Sequence, residues 1–143
     1  MKTVLGVVCV LFGGFGWLGQ TISWINFPLA QKLGLQEKSA GTDPLFRLAE
    51  LNAARWDSCV LWSLIGAGVL MLIDNPWWPH VSLVAGGVYL DTAGREAAKY
   101  MSLRNGGVRV GDSKEVKTAL FFYGLLAVIA LWVIVFALGA LAA

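Results

Sequence analysis

The chain has 143 residues, of which 57% are hydrophobic and 14% are charged, and its formal net charge is +2. A soluble domain is roughly half apolar and about a quarter charged, so this composition excludes a disordered tail and a free nucleic-acid binder. Two cysteines are also too few for a small secreted protein that depends on disulfides.

The charged residues are grouped, and the gaps between the groups predict membrane-spanning helices. A bilayer core about 30 Å thick is crossed by roughly 20 apolar helical residues. We therefore expect an all-α, polytopic membrane protein that folds as one four-helix transmembrane bundle. The stretches without charge are residues 3–31, 58–73, 75–90 and 118–143. The predicted single domain is 1–143, with spans at about 3–25, 55–73, 76–96 and 117–141.

The first predicted helix has one face made of small residues. Gly6, Gly13 and Gly16 follow one another at helical spacing, with Cys9 between them. Such a face lets a neighbouring helix approach closely, so we predict that these three glycines pack against another helix. Lys2 before an apolar run also fits a signal peptide. Because no Ala-x-Ala-like site follows, we expect the run to stay as a span.

The second predicted helix begins at Asp43-Pro44. The Asp43 carboxylate suits the capping position, and proline suits the first helical position. The helix is expected to continue over residues 44–73. That length, about 45 Å at 1.5 Å per residue, exceeds the bilayer core, so its first turns should stand outside the hydrocarbon.

The third predicted helix covers about residues 76–104, and the Asn-Gly-Gly sequence at 105–107 is a natural end. Gly86 and Gly94 give it small residues, which we expect at a helix contact. The second and third helices therefore form a long hairpin, which we expect to extend into the cytoplasm.

The fourth predicted helix begins after Asp112. Glu115 stands three residues later, where it completes a capping box. The helix that follows is almost wholly apolar and long enough to span a membrane by itself.

The positive charges predict the orientation. In a four-span chain, ten of the eleven Lys and Arg residues fall on one side, and only Lys2 falls on the other. Because positive loops stay in the cytoplasm, we expect both termini outside and the first and third loops inside. The ten residues are Lys32, Lys38, Arg47, Arg55, Arg95, Lys99, Arg104, Arg109, Lys114 and Lys117.

A charged cluster is predicted near the cytoplasmic edge of the hairpin. Counting about 30 Å along each arm from the external turn places Arg55 and Asp57 level with Asp91 and Arg95. Charges at that depth are costly unless they pair. Two interpretations stay open. The cluster either fixes the register of two helices, or forms a polar pocket for a lipid headgroup, an anionic ligand or a partner subunit.

Reactive groups are scarce in this sequence. His80 is the single histidine and stands beside the external turn, so no zinc or di-iron site is predicted. An axial haem or chlorophyll ligand is the remaining alternative for His80. Cys9 and Cys59 are expected at opposite ends of antiparallel spans, too far apart for a bridge. We therefore predict no catalytic residue, no metal site and no cofactor apart from a bound lipid.

The chain resembles the small four-helix bacterial membrane proteins of the DoxX-like superfamily and their uncharacterised relatives. The resemblance implies a four-helix bundle in a bacterial inner membrane and, as in some relatives, an accessory role beside redox enzymes. It transfers no catalytic residue, and the long hairpin departs from the usual compact pattern. The similar features are the Gly-rich first span, Phe27-Pro28-Leu29-Ala30, Leu33-Gly34-Leu35, Arg55, Gly66, Gly68, Gly94-Arg95 and Gly106-Gly107.

Two functional hypotheses follow from these features. The first is a non-catalytic accessory or scaffold subunit whose partners are other membrane protein subunits and membrane lipids. The alternative is a protein that binds a lipid, a quinone or another amphiphile at Arg55, Asp57, Asp91 and Arg95. An enzyme that acts on such an amphiphile, with Asp57 or Asp91 as a base, is a third and weaker hypothesis.

Overall fold

The structure is a computed structural model, which describes residues 1–142. It is 83% helical, and the described range contains no strand beyond an isolated bridge between Thr42 and Val110. The prediction of an all-α protein is therefore confirmed. The helices are α1 (Lys2–Ile25), α2 (Phe27–Lys32), α3 (Pro44–Val60), α4 (Trp62–Leu72), α5 (Trp78–Asn105) and α6 (Ser113–Leu141), with a short 3-10 helix at Ser39–Gly41.

Three helical stretches in this range are long and apolar enough to cross a membrane: Lys2–Ile25, Pro44–Leu72 and Ser113–Leu141. They agree with the prediction of an integral membrane protein. α5 is not among them, because its charge-free part ends at Leu90 and five charged residues follow before the helix ends. Four spans and a cytoplasmic hairpin stay predictions.

The predicted helix starts are present. The Asp43 carboxylate accepts a hydrogen bond from the Leu45 N–H at 2.8 Å. At α6, Asp112 accepts from the N–H groups of Lys114 and Glu115, and Glu115 accepts from the Asp112 N–H, all at 2.8 Å. These backbone hydrogen bonds, that of Glu115 foremost, lower the pKa of the Asp112 carboxyl.

The helix α1, the α3–α4 stretch, α5 and α6 each run antiparallel to the next in chain order. α1 packs against α3 and α4, α4 against α5, and α5 against α6. The main apolar core lies between α1, α4, α5 and α6 and includes one large residue from each: Leu5, Leu64, Tyr89 and Val133. A smaller core consists of Phe46, Tyr100, Val110 and Val116 and lies near the start of α6.

Contacts at the two ends fix this order. At one end, Lys2 forms an ion pair with Asp74 in the turn between α4 and α5. At the other end, the segments 33–43 and 106–112 meet, and the Asp43 N–H donates to the Arg109 carbonyl at 2.8 Å. We call this second end the polar end. Both connecting segments therefore lie on the same side of the bundle.

The second predicted helix is one helical stretch over Pro44–Leu72, with an irregular turn at Leu61 between α3 and α4. Leu61 keeps right-handed helical backbone angles, and its N–H donates to the Asp57 carbonyl at 2.8 Å. Carbonyls at an irregular turn lack some of their usual helical partners, and here three aromatic side chains donate hydrogen bonds to carbonyls beside Leu61. Trp17 Nε1 donates to the Ser58 carbonyl, Trp62 Nε1 to that of Cys59, and the Tyr89 hydroxyl to that of Leu61, each at 2.9 Å.

The predicted packing glycines differ in their surroundings. Gly6 and Gly13 lie against α4, and Gly86 lies against α6 at Ala130 and Ile134. Gly16 is looser, since an added Cβ would meet only the Tyr89 hydroxyl, at 3.7 Å. Gly94 departs from the prediction, because within the described residues no atom of another helix would lie within 4 Å of its Cβ.

The closest helix contact gives a test of the fold. A Cβ on Gly68 would lie 2.6 Å from the Gly6 carbonyl oxygen and 2.9 Å from the Cys9 Cβ. We expect Gly68→Ala to lower the free energy of unfolding by about 1–3 kcal/mol, because α1 and α4 must separate. Gly124→Ala is the matched control: it meets open space on α6 and should be neutral or stabilising by up to about 1 kcal/mol.

Thermal unfolding in a mild detergent, followed by circular dichroism, measures both variants. Equal unfolding temperatures for Gly68→Ala and Gly124→Ala would contradict the close approach of α1 and α4.

Candidate functional site

The largest cluster of charged side chains lies between α3 and α5 and centres on Arg95. Its guanidinium Nη2 lies 3.0 Å from Asp57 Oδ1, and its Nη1 lies 2.8 Å from Glu96 Oε1. Asp91, one turn earlier on α5, approaches Arg95 Nε at 3.7 Å. The side chains of Asp57 and Glu96 are 1% and 4% exposed, so both carboxylates need a cation, and Arg95 contacts each of them.

A second cation extends the cluster towards the polar end. Lys99 Nζ lies 2.5 Å from Glu50 Oε1 on α3 and also pairs with Glu96. The same ammonium group stands 5.9 Å from the centroid of the Phe46 ring and 6.0 Å from that of Tyr100. Glu96 therefore bridges the two cations, and the contacts from Asp57 to Glu50 form one continuous network.

Three of the four predicted site residues meet in this network, and the fourth does not. Asp57, Asp91 and Arg95 are together, but Arg55 is exposed and forms no ion pair within residues 1–142. The prediction that Arg55 belongs to the charged cluster is corrected by helix geometry. Residues two apart on a helix point to nearly opposite sides, and the side facing α5 belongs to Asp57.

Sequence reasoning left three members of the network out of the site. Glu50 and Asp57 are seven residues apart, which is two helical turns, and Lys99 follows Arg95 by one turn. That spacing could have placed Glu50 opposite Lys99. Glu96 carried no such signal, because only the packing of α5 shows which side of Arg95 is buried.

An open groove runs over this network. It has a volume of about 610 Å³ and is lined on the α3 side by Asn52, Ala53 and Trp56. Arg95 and Lys99 are among the charged residues that line its α5 side. Here α3 and α5 contact each other through long charged side chains, and the space between their backbones forms the groove. The site therefore presents fixed charges beside an aromatic ring.

Glu37, in the segment before α3, lies next to the network. It accepts a hydrogen bond from the Tyr100 hydroxyl. Burial disfavours the charged carboxylate and raises the pKa of Glu37 above its ordinary value, although the Tyr100 hydrogen bond opposes the shift. Through this hydrogen bond, the protonation state of Glu37 affects Tyr100, which belongs to the smaller core.

The other chemistry-bearing residues lie elsewhere. His80 is exposed, with its ring centroid 5.3 Å from that of Trp77 at the end away from the network. Cys9 is buried, Cys59 is exposed, and both thiols are free. Among residues 1–142, no group of three His, Cys, Asp or Glu side chains could hold a metal ion.

No protein-family model, curated protein or solved structure matches this chain. The resemblance to the DoxX-like superfamily accordingly stays a prediction.

Removal of the central cation tests the network. We expect Arg95→Ala to lower the free energy of unfolding by about 2–3 kcal/mol, because Asp57 loses its partner and Glu96 loses one of its two cations. This value is below the roughly 3–5 kcal/mol of a fully buried pair, since the Arg95 side chain is 38% exposed. Arg55→Ala, the control on the outer side of α3, should change it by no more than about 0.5 kcal/mol. Denaturant titration in detergent would contradict the assignment if the two variants were equally stable.

The raised pKa of Glu37 predicts a pH dependence. A neutral Glu37 is favoured in the folded state, so its contribution to stability is complete below its unfolded pKa of about 4.5 and is lost as pH rises through the raised folded pKa. Glu37→Gln keeps a neutral acceptor for Tyr100. Its unfolding temperature should match that of the unaltered protein near about pH 4 and exceed it near about pH 8. A difference that does not vary with pH would exclude this explanation.

Proposed function

We propose that this protein is an integral membrane protein that binds an amphiphile, with the polar group of the ligand in the α3–α5 groove. The observation that carries the proposal is the groove itself. It combines exposed parts of Arg95 and Asp91 with the aromatic side chain of Trp56, next to the apolar part of the bundle that begins at α4 and before Asp91 on α5. An amphiphile has the matching pair of properties, a polar head and an apolar tail.

The size and position of the groove support this proposal. Small-molecule sites commonly have volumes of about 300–1,000 Å³, and the groove falls within that range at about 610 Å³. It begins where the apolar part of α5 ends at Leu90. A headgroup there would leave its tail beside α4 and α5, along the apolar helices.

We further propose four spans, with α5 as the span between α4 and α6. α5 packs antiparallel to two stretches that are themselves able to cross a membrane, and its charged half pairs with α3 instead of facing lipid. The polar end carries nearly all the positive charge, so the positive-inside rule favours a cytoplasmic polar end and external termini. The resemblance to DoxX-like proteins is the reason for choosing a bacterial inner membrane.

An accessory or scaffold subunit is the second candidate function. It is favoured by the outer side of α5, where Gly87 and Gly94 face open space. Small residues on a membrane helix allow a second helix to approach closely. A partner subunit would bury this surface, which includes Asp91 at the edge of the α3–α5 groove.

Native mass spectrometry of the protein, extracted gently from its own membrane, separates the two candidates. Amphiphile binding predicts one reproducible small-molecule mass on the 15.4 kDa chain. Ala53→Phe should reduce the occupancy roughly tenfold, because the new ring fills the groove without changing its charges. Ala98→Phe, on an exposed position of α5 outside the groove lining, is the matched control and should keep the ligand.

Three results would count against amphiphile binding in the groove. Retention of the ligand by Ala53→Phe would place it elsewhere on the protein. Defined protein subunits on the chain, with no small molecule, would favour the accessory role. If neither a ligand nor a protein subunit is found on the chain, the charged network has a structural role only.

A further inference from the structure

Six charged side chains form the network at the groove, four of them lining it and two, Glu50 and Asp57, buried beneath it, and their charges do not cancel. They are Glu50, Asp57, Asp91, Arg95, Glu96 and Lys99. Four carboxylates against two cations leave a net charge of −2 when all six groups are ionised. Uncompensated charge is costly where side chains are withdrawn from water, so the groove favours a positive ligand over a negative one.

Both cations of the network are already engaged. Arg95 contacts three carboxylates, and Lys99 contacts two while standing over the rings of Phe46 and Tyr100. An anionic headgroup at Arg95 would compete with the exposed Asp91 and with two buried carboxylates. This competition favours a positive headgroup over a negative one.

Two carboxylates are not fully compensated. The Asp91 side chain is 73% exposed at the groove and has only the 3.7 Å contact with Arg95. Asp57 stands behind Arg95 with a side chain that is 1% exposed, and its Oδ2 has no hydrogen-bond partner among residues 1–142. Buried polar atoms without a partner are rare in folded proteins.

The indole ring of Trp56, which lines the groove, also favours a positive ligand. Trp56 lines the groove and is 62% exposed. The face of an indole ring attracts cations, ammonium groups among them. Asp91 and Trp56 thus offer a carboxylate and a ring from opposite sides, one on α5 and one on α3.

We infer that the groove takes an amphiphile whose headgroup is an ammonium group, either the amine of a membrane lipid or that of a single-chain alkylammonium. The inference rests on the proposed function, which it deepens by giving the headgroup its charge. The ammonium group would lie between Trp56 and Asp91, and its positive charge would offset the excess of carboxylates.

The test compares two probes with the same chain and opposite charge. Decyltrimethylammonium and decyl sulfate are added separately to the full chain in uncharged detergent micelles, and bound probe is counted by native mass spectrometry. The ammonium probe should bind at least about tenfold more tightly than the sulfate. Asp91→Asn and Trp56→Leu should each weaken it by about fivefold.

Matched controls lie at the opposite end of the bundle. Asp74→Asn removes one exposed carboxylate and Trp77→Leu one exposed indole, and both should bind the ammonium probe as the unaltered protein does. Phosphatidylethanolamine in the micelles separates the two sources of the amine. Competition with the probe indicates a lipid amine, and its absence indicates a single-chain ammonium.

The failures of the two proposals are distinguishable. Equal or tighter binding of decyl sulfate, removed by Ala53→Phe, would overturn the ammonium headgroup and leave amphiphile binding in place. An unchanged affinity of the ammonium probe for Asp91→Asn and Trp56→Leu would also overturn it. If the unaltered protein binds neither probe, the proposed function fails as well.

Discussion

The structure depends on the compensation of carboxylates that α3 buries. Asp57 and Glu50 face α5, and each needs a cation that its own helix does not place beside it. Arg95 and Lys99 supply the charge from α5, and Glu96 connects the two. Because a buried charge without a partner is strongly unfavourable, this network fixes which turn of α3 lies opposite which turn of α5.

The same network explains why packing is uneven along the bundle. Gly68 brings α1 and α4 close together, and Gly86 does so for α5 and α6. Long charged side chains instead hold α3 and α5 apart near the polar end, where the groove opens. Small residues therefore accompany close helix contacts in this bundle, and long charged residues accompany the wider separation of α3 and α5 at the groove.

The irregular turn at Leu61 lies at the boundary between these two kinds of packing. It lies where the charged part of the hairpin passes into the apolar part, and Tyr89 and Trp17 donate hydrogen bonds to the carbonyls beside it. In a low-dielectric surrounding, unpaired carbonyls are costly, so these donors compensate the carbonyls at the irregular turn. Before this turn α3 pairs with the charges of α5, and after it α4 lies in close contact with α1.

The sequence by itself determined the helical class, the apolar stretches, and the caps at Asp43 and Asp112, because these depend on local composition and on hydrogen bonds within a few residues. Counting depth along the hairpin also placed Asp57 level with Arg95. Only the tertiary structure decided that Arg55 lies outside the network and Glu96 inside it. It also decided that Gly86 meets a helix and Gly94 does not. Each of these depends on which face of a helix its neighbours cover, and that orientation is set by packing between segments distant in sequence.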